Sequence, residues 1–119
     1  MLVEDFYTVT GRFTDAPAEV FRVRLRPDSR VYEGHFPGHP ISPGVCTMQL
    51  LRECAEEVAG RPLRMTEVLL ARFLRLVTPE TLPEADARIL LRPDGTGWLL
   101  EAALLDGGVP CMTLKARLE

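Results

Sequence analysis

The run His35-Phe36-Pro37-Gly38-His39-Pro40-Ile41-Ser42-Pro43-Gly44-Val45 gathers both histidines of the chain, three prolines and two glycines into eleven positions. An imidazole titrates near neutral pH, so a histidine fixed in place can serve as a general base. Proline fixes φ and glycine permits φ > 0, which makes this a shaped loop. It leads directly into a helix signal. Backbone N–H groups at a helix N-terminus point outward and favour negative charge, so a histidine beside them suits chemistry on a carbonyl. His35 is the candidate base, and His39 is expected to face solvent.

The helix that must carry this loop is marked at both ends. Ser42 can cap it, Pro43 suits the first helical position, and Gly60 with Pro62 stops it. Met48, Leu51, Cys54, Ala55 and Val58 form an apolar stripe at three- and four-residue spacing, with Gln49, Arg52, Glu53, Glu56 and Glu57 on the opposite arc. A helix from Pro43 to Ala59 is about 25 Å long. Cys46 falls in its first turn, where the dipole can lower a thiol pKa, but a small buried residue is the favoured reading.

Strands surround the helix. Phe6 to Phe13 reads as one, turned by Asp15-Ala16-Pro17, and Phe21 to Arg26 alternates apolar and charged residues with period two. Its arginines, Arg22, Arg24 and Arg26, are expected on a solvated face, with a carrier protein's acidic surface as a lesser reading. Leu63 to Val77 is β-prone, and Ala87 to Leu91, Trp98 to Leu105 and Val109 to Leu118 follow. The short Gly-bearing gaps before and after Trp98 to Leu105 predict an antiparallel meander. One long helix inserted early among five or six antiparallel strands is an α+β architecture, a sheet wrapped on a helix.

The 119 residues fit a single domain with one core. A net charge of −3 gives no basic footprint, which argues against nucleic acid. Lys115 is the only lysine, a bias without functional weight. Three cysteines (Cys46, Cys54, Cys111) without metal spacing suggest reduced thiols. The absence of a secretory signal at Met1 and of a long apolar run completes the expectation of a cytoplasmic protein that neither enters nor binds a membrane.

The segment from His35 to Val45 resembles the His-Phe-Pro-Gly-x-Pro-x-x-Pro-Gly-Val signature of hotdog-fold 3-hydroxyacyl-[acyl-carrier-protein] dehydratases of the FabZ and FabA type. Ala71-Arg72-Phe73 and Val77-Thr78-Pro79 look like that family's Arg-Phe strand and following turn, and the element order matches over nearly the whole chain. The resemblance implies a hotdog domain over residues 1–119 and a homodimer, or a trimer of dimers, with active sites at the interface. It also implies an acyl chain delivered on the phosphopantetheine of an acyl carrier protein or CoA, with no metal or other cofactor. His35 maps to the catalytic histidine. The N–H groups at Gly44 and Val45 would polarise the thioester carbonyl, and Phe36, Gly38, Pro43, Arg72 and Phe73 would contact substrate.

One departure stands out. The family's catalytic acid falls at Gln49, and the carboxylate one turn on, Glu53, falls where the family usually carries glutamine. The pair looks swapped, and the turn after Pro79 is altered to Glu80-Thr81. An amide cannot give up a proton as an acid, and losing a general acid forfeits roughly 10²–10⁴ in rate. Gln49 is expected in the tunnel or interface. Glu53 is a candidate for catalysis or for an interface pairing with Arg52 or Arg72. Three functions follow. The leading one is a dehydratase of fatty-acid, polyene or aryl-lipid biosynthesis. The others are a hotdog thioesterase in which Gln49 or Glu53 positions water, and an inactive acyl-binding subunit paired with an active dehydratase.

Overall fold

The computed structural model describes residues 6–32, 42 and 44–119. It contains six strands and one long helix: β1 (Tyr7–Asp15), β2 (Ala18–Leu25), α1 (Gly44–Ala59), β3 (Met65–Phe73), β4 (Glu84–Asp94), β5 (Gly97–Asp106) and β6 (Val109–Leu118). A 3₁₀ turn at Arg30–Tyr32 precedes the helix. All pairings are antiparallel, in the order β1-β2-β4-β5-β6-β3, so β1 and β3 are the edges. α1 lies across β4 and β5. A sheet wrapped on one central helix is the hotdog architecture.

The meander forms because its turns are built for it. Gly107 and Gly108 both sit at positive φ (55° and 87°), the geometry that matches the twist of paired strands, and Gly95 (62°) serves the β4–β5 hairpin. Gly60 (φ 72°) stops the helix, its N–H reaching the carbonyl of Glu56 at 2.8 Å. β4 runs longer than Ala87 to Leu91. It tolerates Pro93 because β2 pairs with it only as far as Ile89, beyond which one side of the strand needs no donor. β3 stops at Phe73, short of the expected Val77. The N–H groups of Leu74 and Arg75 both turn to the carbonyl of Cys111, and the chain leaves the ladder to reach the helix entrance.

The core joins Leu50, Leu51, Cys54 and Ala55 of α1 to Ala87, Ile89, Leu100, Leu104 and Met112 of the sheet. The expected apolar stripe is therefore shifted. Leu50 is fully buried, whereas Met48 and Val58 are only partly covered. Glu53, placed on the polar arc by its residue type, is also buried. A wrapped sheet covers more of a helix's circumference than a flat one, so polar positions are enclosed too.

Candidate functional site

His35, Phe36, Gly38, His39 and Pro43 lie outside the described residues, and the site is built from what flanks them. Tyr32 and Ser42 bracket that segment. Their hydroxyls lie 2.9 Å apart in a buried hydrogen bond, and the Ser42 N–H donates to the carbonyl of Val77 at 2.7 Å. Ser42 was expected to cap α1, but its hydroxyl meets Tyr32. Burial raises the Tyr32 pKa, so its phenol stays protonated.

Gly44 opens the helix, and the ring of Phe73 lies directly over it. A Cβ at position 44 would come within 2.7 Å of the ring edge. Only glycine lets β3's last residue approach the first turn so closely. The strand end and the helix start are thus joined, which the two sequence blocks taken separately did not indicate. Beside them lies a cavity of about 320 Å³, lined by Gly44, Thr47, Phe73, Leu76 and Met112 among others. Val45 is strongly exposed, and Arg72 is exposed with no ion pair among the described residues. The arrangement offers an anion-favouring helix terminus next to an apolar recess, which fits a polar head carrying a hydrocarbon chain.

Gln49 and Glu53 stand one turn apart on the same face of α1. The Gln49 Nε2–H donates to Glu53 Oε2 at 3.1 Å, and the Tyr7 hydroxyl donates to Glu53 Oε1 at 2.8 Å. Arg52 lies 3.9 Å from Glu53 Oε2, but its main partners are Glu56 at 3.0 Å and the carbonyl of Leu63 at 2.9 Å. Burial, together with the neighbouring Cys54 and the bond to Glu53, raises the Tyr7 pKa. Glu53 also borders a second cavity of about 220 Å³, with Tyr7, Val9 and Phe21. Among the described residues its partners are Tyr7, Gln49 and Arg52. Glu53 thus lies on the arc opposite the apolar stripe, as expected, but is buried there.

The remaining expectations divide. Cys46 is half-buried, and burial raises its pKa instead of the dipole lowering it. Arg22, Arg24 and Arg26 are on the surface as expected, where each has an acidic neighbour: Asp86, Glu84 and Asp28. Among the described residues no cluster of three or more His, Cys, Asp or Glu could hold a metal. No helix among them is long and apolar enough to cross a membrane. Sequence reasoning missed Tyr7. It meets Glu53 across 46 positions, and nothing local signals that contact. The Gln49–Glu53 bond had a signal, because residues four apart share a helix face.

Fold and site together define a hotdog protein with its helix entrance open to an apolar recess. The sequence pattern of the ApeI-like family, ApeI dehydratase, matches residues 12–93, and the chain belongs to that family. It is 33% identical over 85 residues to the 3-hydroxyacyl-[acyl-carrier-protein] dehydratase FabZ of Acetivibrio thermocellus, covering 66% of this chain and 58% of that one. It is 25% identical over 89 residues to the FabZ of Lactiplantibacillus plantarum, covering 69% and 60%. The chain thus spans about three-fifths of the length of these relatives. The fold resembles a chain of the dehydratase heterocomplex ApeI:P from Xenorhabdus doucetiae (TM-score 0.67, 17% identity, 93% of this chain and 96% of that one). It also resembles an uncharacterized protein from Erwinia carotovora subsp. atroseptica (TM-score 0.60, 20% identity, 96% and 94%).

Proposed function

We propose that this protein dehydrates 3-hydroxyacyl thioesters carried on the phosphopantetheine of an acyl carrier protein, in fatty-acid or polyene-type lipid synthesis. The observation that carries the proposal is the helix N-terminus at Gly44, packed under Phe73 and open to an apolar recess, in a chain of the ApeI-like family. The N–H groups of Gly44 and Val45 polarise the thioester carbonyl and so acidify the C2 proton. His35 removes that proton, the C2–C3 double bond forms, and the C3–O bond breaks. The departing hydroxyl must take a proton to leave as water. Gln49 has none to give, so the imidazolium that His35 has become is the donor this site retains. Phe36, Gly38, Pro43, Arg72 and Phe73 contact the substrate arm and chain.

A second subunit completes the site in this reading. β3 is an edge strand, and Val68, Leu69, Leu70 and Phe73 leave a long apolar stretch open along it. Such an edge invites pairing with another strand. A copy of this chain is the first candidate. The heterocomplex in which the Xenorhabdus chain is found supports a non-identical subunit as the second.

The hydrogen-bonded Gln49–Glu53 pair favours one alternative chemistry, in which it orients water for hydrolysis of the thioester. Incubation with 3-hydroxyacyl carrier protein separates the two. The conjugated enoyl thioester is the expected product, and release of free thiol without it would establish the thioesterase instead.

A further inference from the structure

The swapped order of amide and carboxylate on α1 has a structural consequence beyond the loss of an acid. A carboxylate has only acceptors, so the amide of Gln49 must turn its nitrogen toward Glu53. Rotating the amide by half a turn would set Oε1 against Oε2, two acceptors in contact. The 3.1 Å bond therefore fixes which end of Gln49 is engaged and leaves Oε1 and the second N–H for another partner.

Glu53 is itself held. It is 7% exposed, and its other oxygen accepts the Tyr7 hydroxyl at 2.8 Å. Tyr7 is 1% exposed on the first strand, so the hydroxyl has little freedom to move away. Arg52 stands behind the carboxylate, tied to Glu56 and to the carbonyl of Leu63. The order is a rigid strand, then a buried carboxylate, then a half-buried amide. Its free end is on the helix that also carries the Gly44 terminus.

We propose that Tyr7 and Glu53 are positioning residues that hold the Gln49 amide in one orientation for the reaction. This rests on the dehydratase reading above. An unrestrained glutamine has several rotamers and can present either end of its amide. At a departing hydroxyl the difference is chemical, because an N–H stabilises the growing negative charge and a carbonyl oxygen repels it. Fixing the amide beforehand removes the wrong orientation and the ordering cost of binding. The exchange of acid and amide thus replaces a proton donor with a fixed hydrogen-bond donor.

The test uses the full chain with Glu53→Met, Tyr7→Phe and the reversed pair Gln49→Glu/Glu53→Gln, and Glu57→Gln as a surface control. Misplacing a reacting group by about 1 Å costs up to roughly 100-fold, so Glu53→Met should lower kcat by roughly 10- to 100-fold with KM within about twofold. Tyr7→Phe should have a smaller effect in the same direction. The reversed pair should exceed wild type, since its carboxyl moves about 6 Å along the helix to position 49 while position 53 still donates to it. Equal kcat in wild type and Glu53→Met, or a reversed pair no better than Glu53→Met, overturns the proposal.

A second readout does not need turnover. The side-chain amide resonances of Gln49, assigned by their loss in Gln49→Ala, should be shifted and slow to exchange in wild type and in Glu57→Gln. They should collapse toward free-glutamine values in Glu53→Met. Resonances unchanged by Glu53→Met overturn the positioning role. Enzyme inactivity toward every substrate, with the collapse observed, overturns only the dehydratase reading.

Discussion

Removing both halves of the Tyr7–Glu53 contact should cost clearly less than the sum of removing each alone. Tyr7→Phe deletes a hydroxyl 2.8 Å from a buried carboxylate. A hydrogen bond to a charged group contributes about 1.5–3 kcal/mol. The adjoining cavity of about 220 Å³ has room for water to replace the lost donor, which places the expected cost near the lower end, about 2 kcal/mol. For a domain of this size that is a fall in Tm of roughly 6–10 °C. Glu53→Met keeps the volume but orphans the Tyr7 hydroxyl and the Gln49 amide, for a cost of about 3 kcal/mol. In Tyr7→Phe/Glu53→Met the orphaned hydroxyl is gone and an apolar pair fills the space, leaving only the half-buried Gln49 amide without its partner. The sum of the single effects should exceed the double by about 1.5–2 kcal/mol, well above the roughly 0.5 kcal/mol scatter of independent sites. Urea denaturation followed by circular dichroism, at constant m-value, gives all four corners. Additivity within that scatter would show that the two residues do not act as a unit.

Other consequences follow from packing, charge and topology. Gly97→Ala would drive a Cβ to 2.4 Å from the carbonyl oxygen of Leu118, so it should destabilise by about 1–3 kcal/mol in chemical denaturation. An unchanged midpoint would show that the hairpin relaxes freely. Leu50→Ala, at a fully buried helix position, should cost about 2–5 kcal/mol, and a loss under 1 kcal/mol would contradict its place in the core. Burial pushes the Cys54 thiol up to about 12, whereas in the unfolded chain it ionises near 9. Its contribution is therefore complete below pH 9 and is lost as pH rises toward 12. Stability should drop by about 1.4 kcal/mol between pH 8 and 10, with a shallower slope in Cys54→Ser. An identical slope in that variant would assign the loss to other groups. Leu69→Lys should weaken any assembly through β3, and light scattering showing an unaltered mass would exclude that edge as the interface.

The fold was legible wherever local chemistry decides it. Gly60, Gly95, Gly107 and Gly108 mark the helix stop and hairpins in the sequence, and all four adopt the left-handed conformations those breaks require. The alternation from Phe21 to Arg26 follows from periodicity and the helix stop from Gly60, whereas Ser42, read as the cap, bonds Tyr32 instead. What escaped depends on tertiary wrapping. Glu53 has the residue type of a surface position and is buried because the sheet curves around that side of α1. Tyr7 becomes its partner only when β1 is brought to the same helix turn. The end of β3 is likewise set by Cys111, whose carbonyl captures two N–H groups that strand propensity would have kept in the ladder. At the site, the motif located the helix terminus, whereas the approach of Phe73 to Gly44 emerged only from the fold. The motif also located the exchange of acid and amide at positions 49 and 53, but not the hydrogen bonds that fix them.

The central claim is that this helix terminus serves an acyl-thioester dehydration in which an amide occupies the acid's position. It is tested most directly by following enoyl-thioester formation from 3-hydroxyacyl carrier protein with wild type, His35→Ala and Gln49→Glu side by side. The account predicts slow formation in wild type, none above background in His35→Ala, and an increase of roughly 10-fold or more in Gln49→Glu. Absence of product at every chain length in both wild type and Gln49→Glu would contradict it.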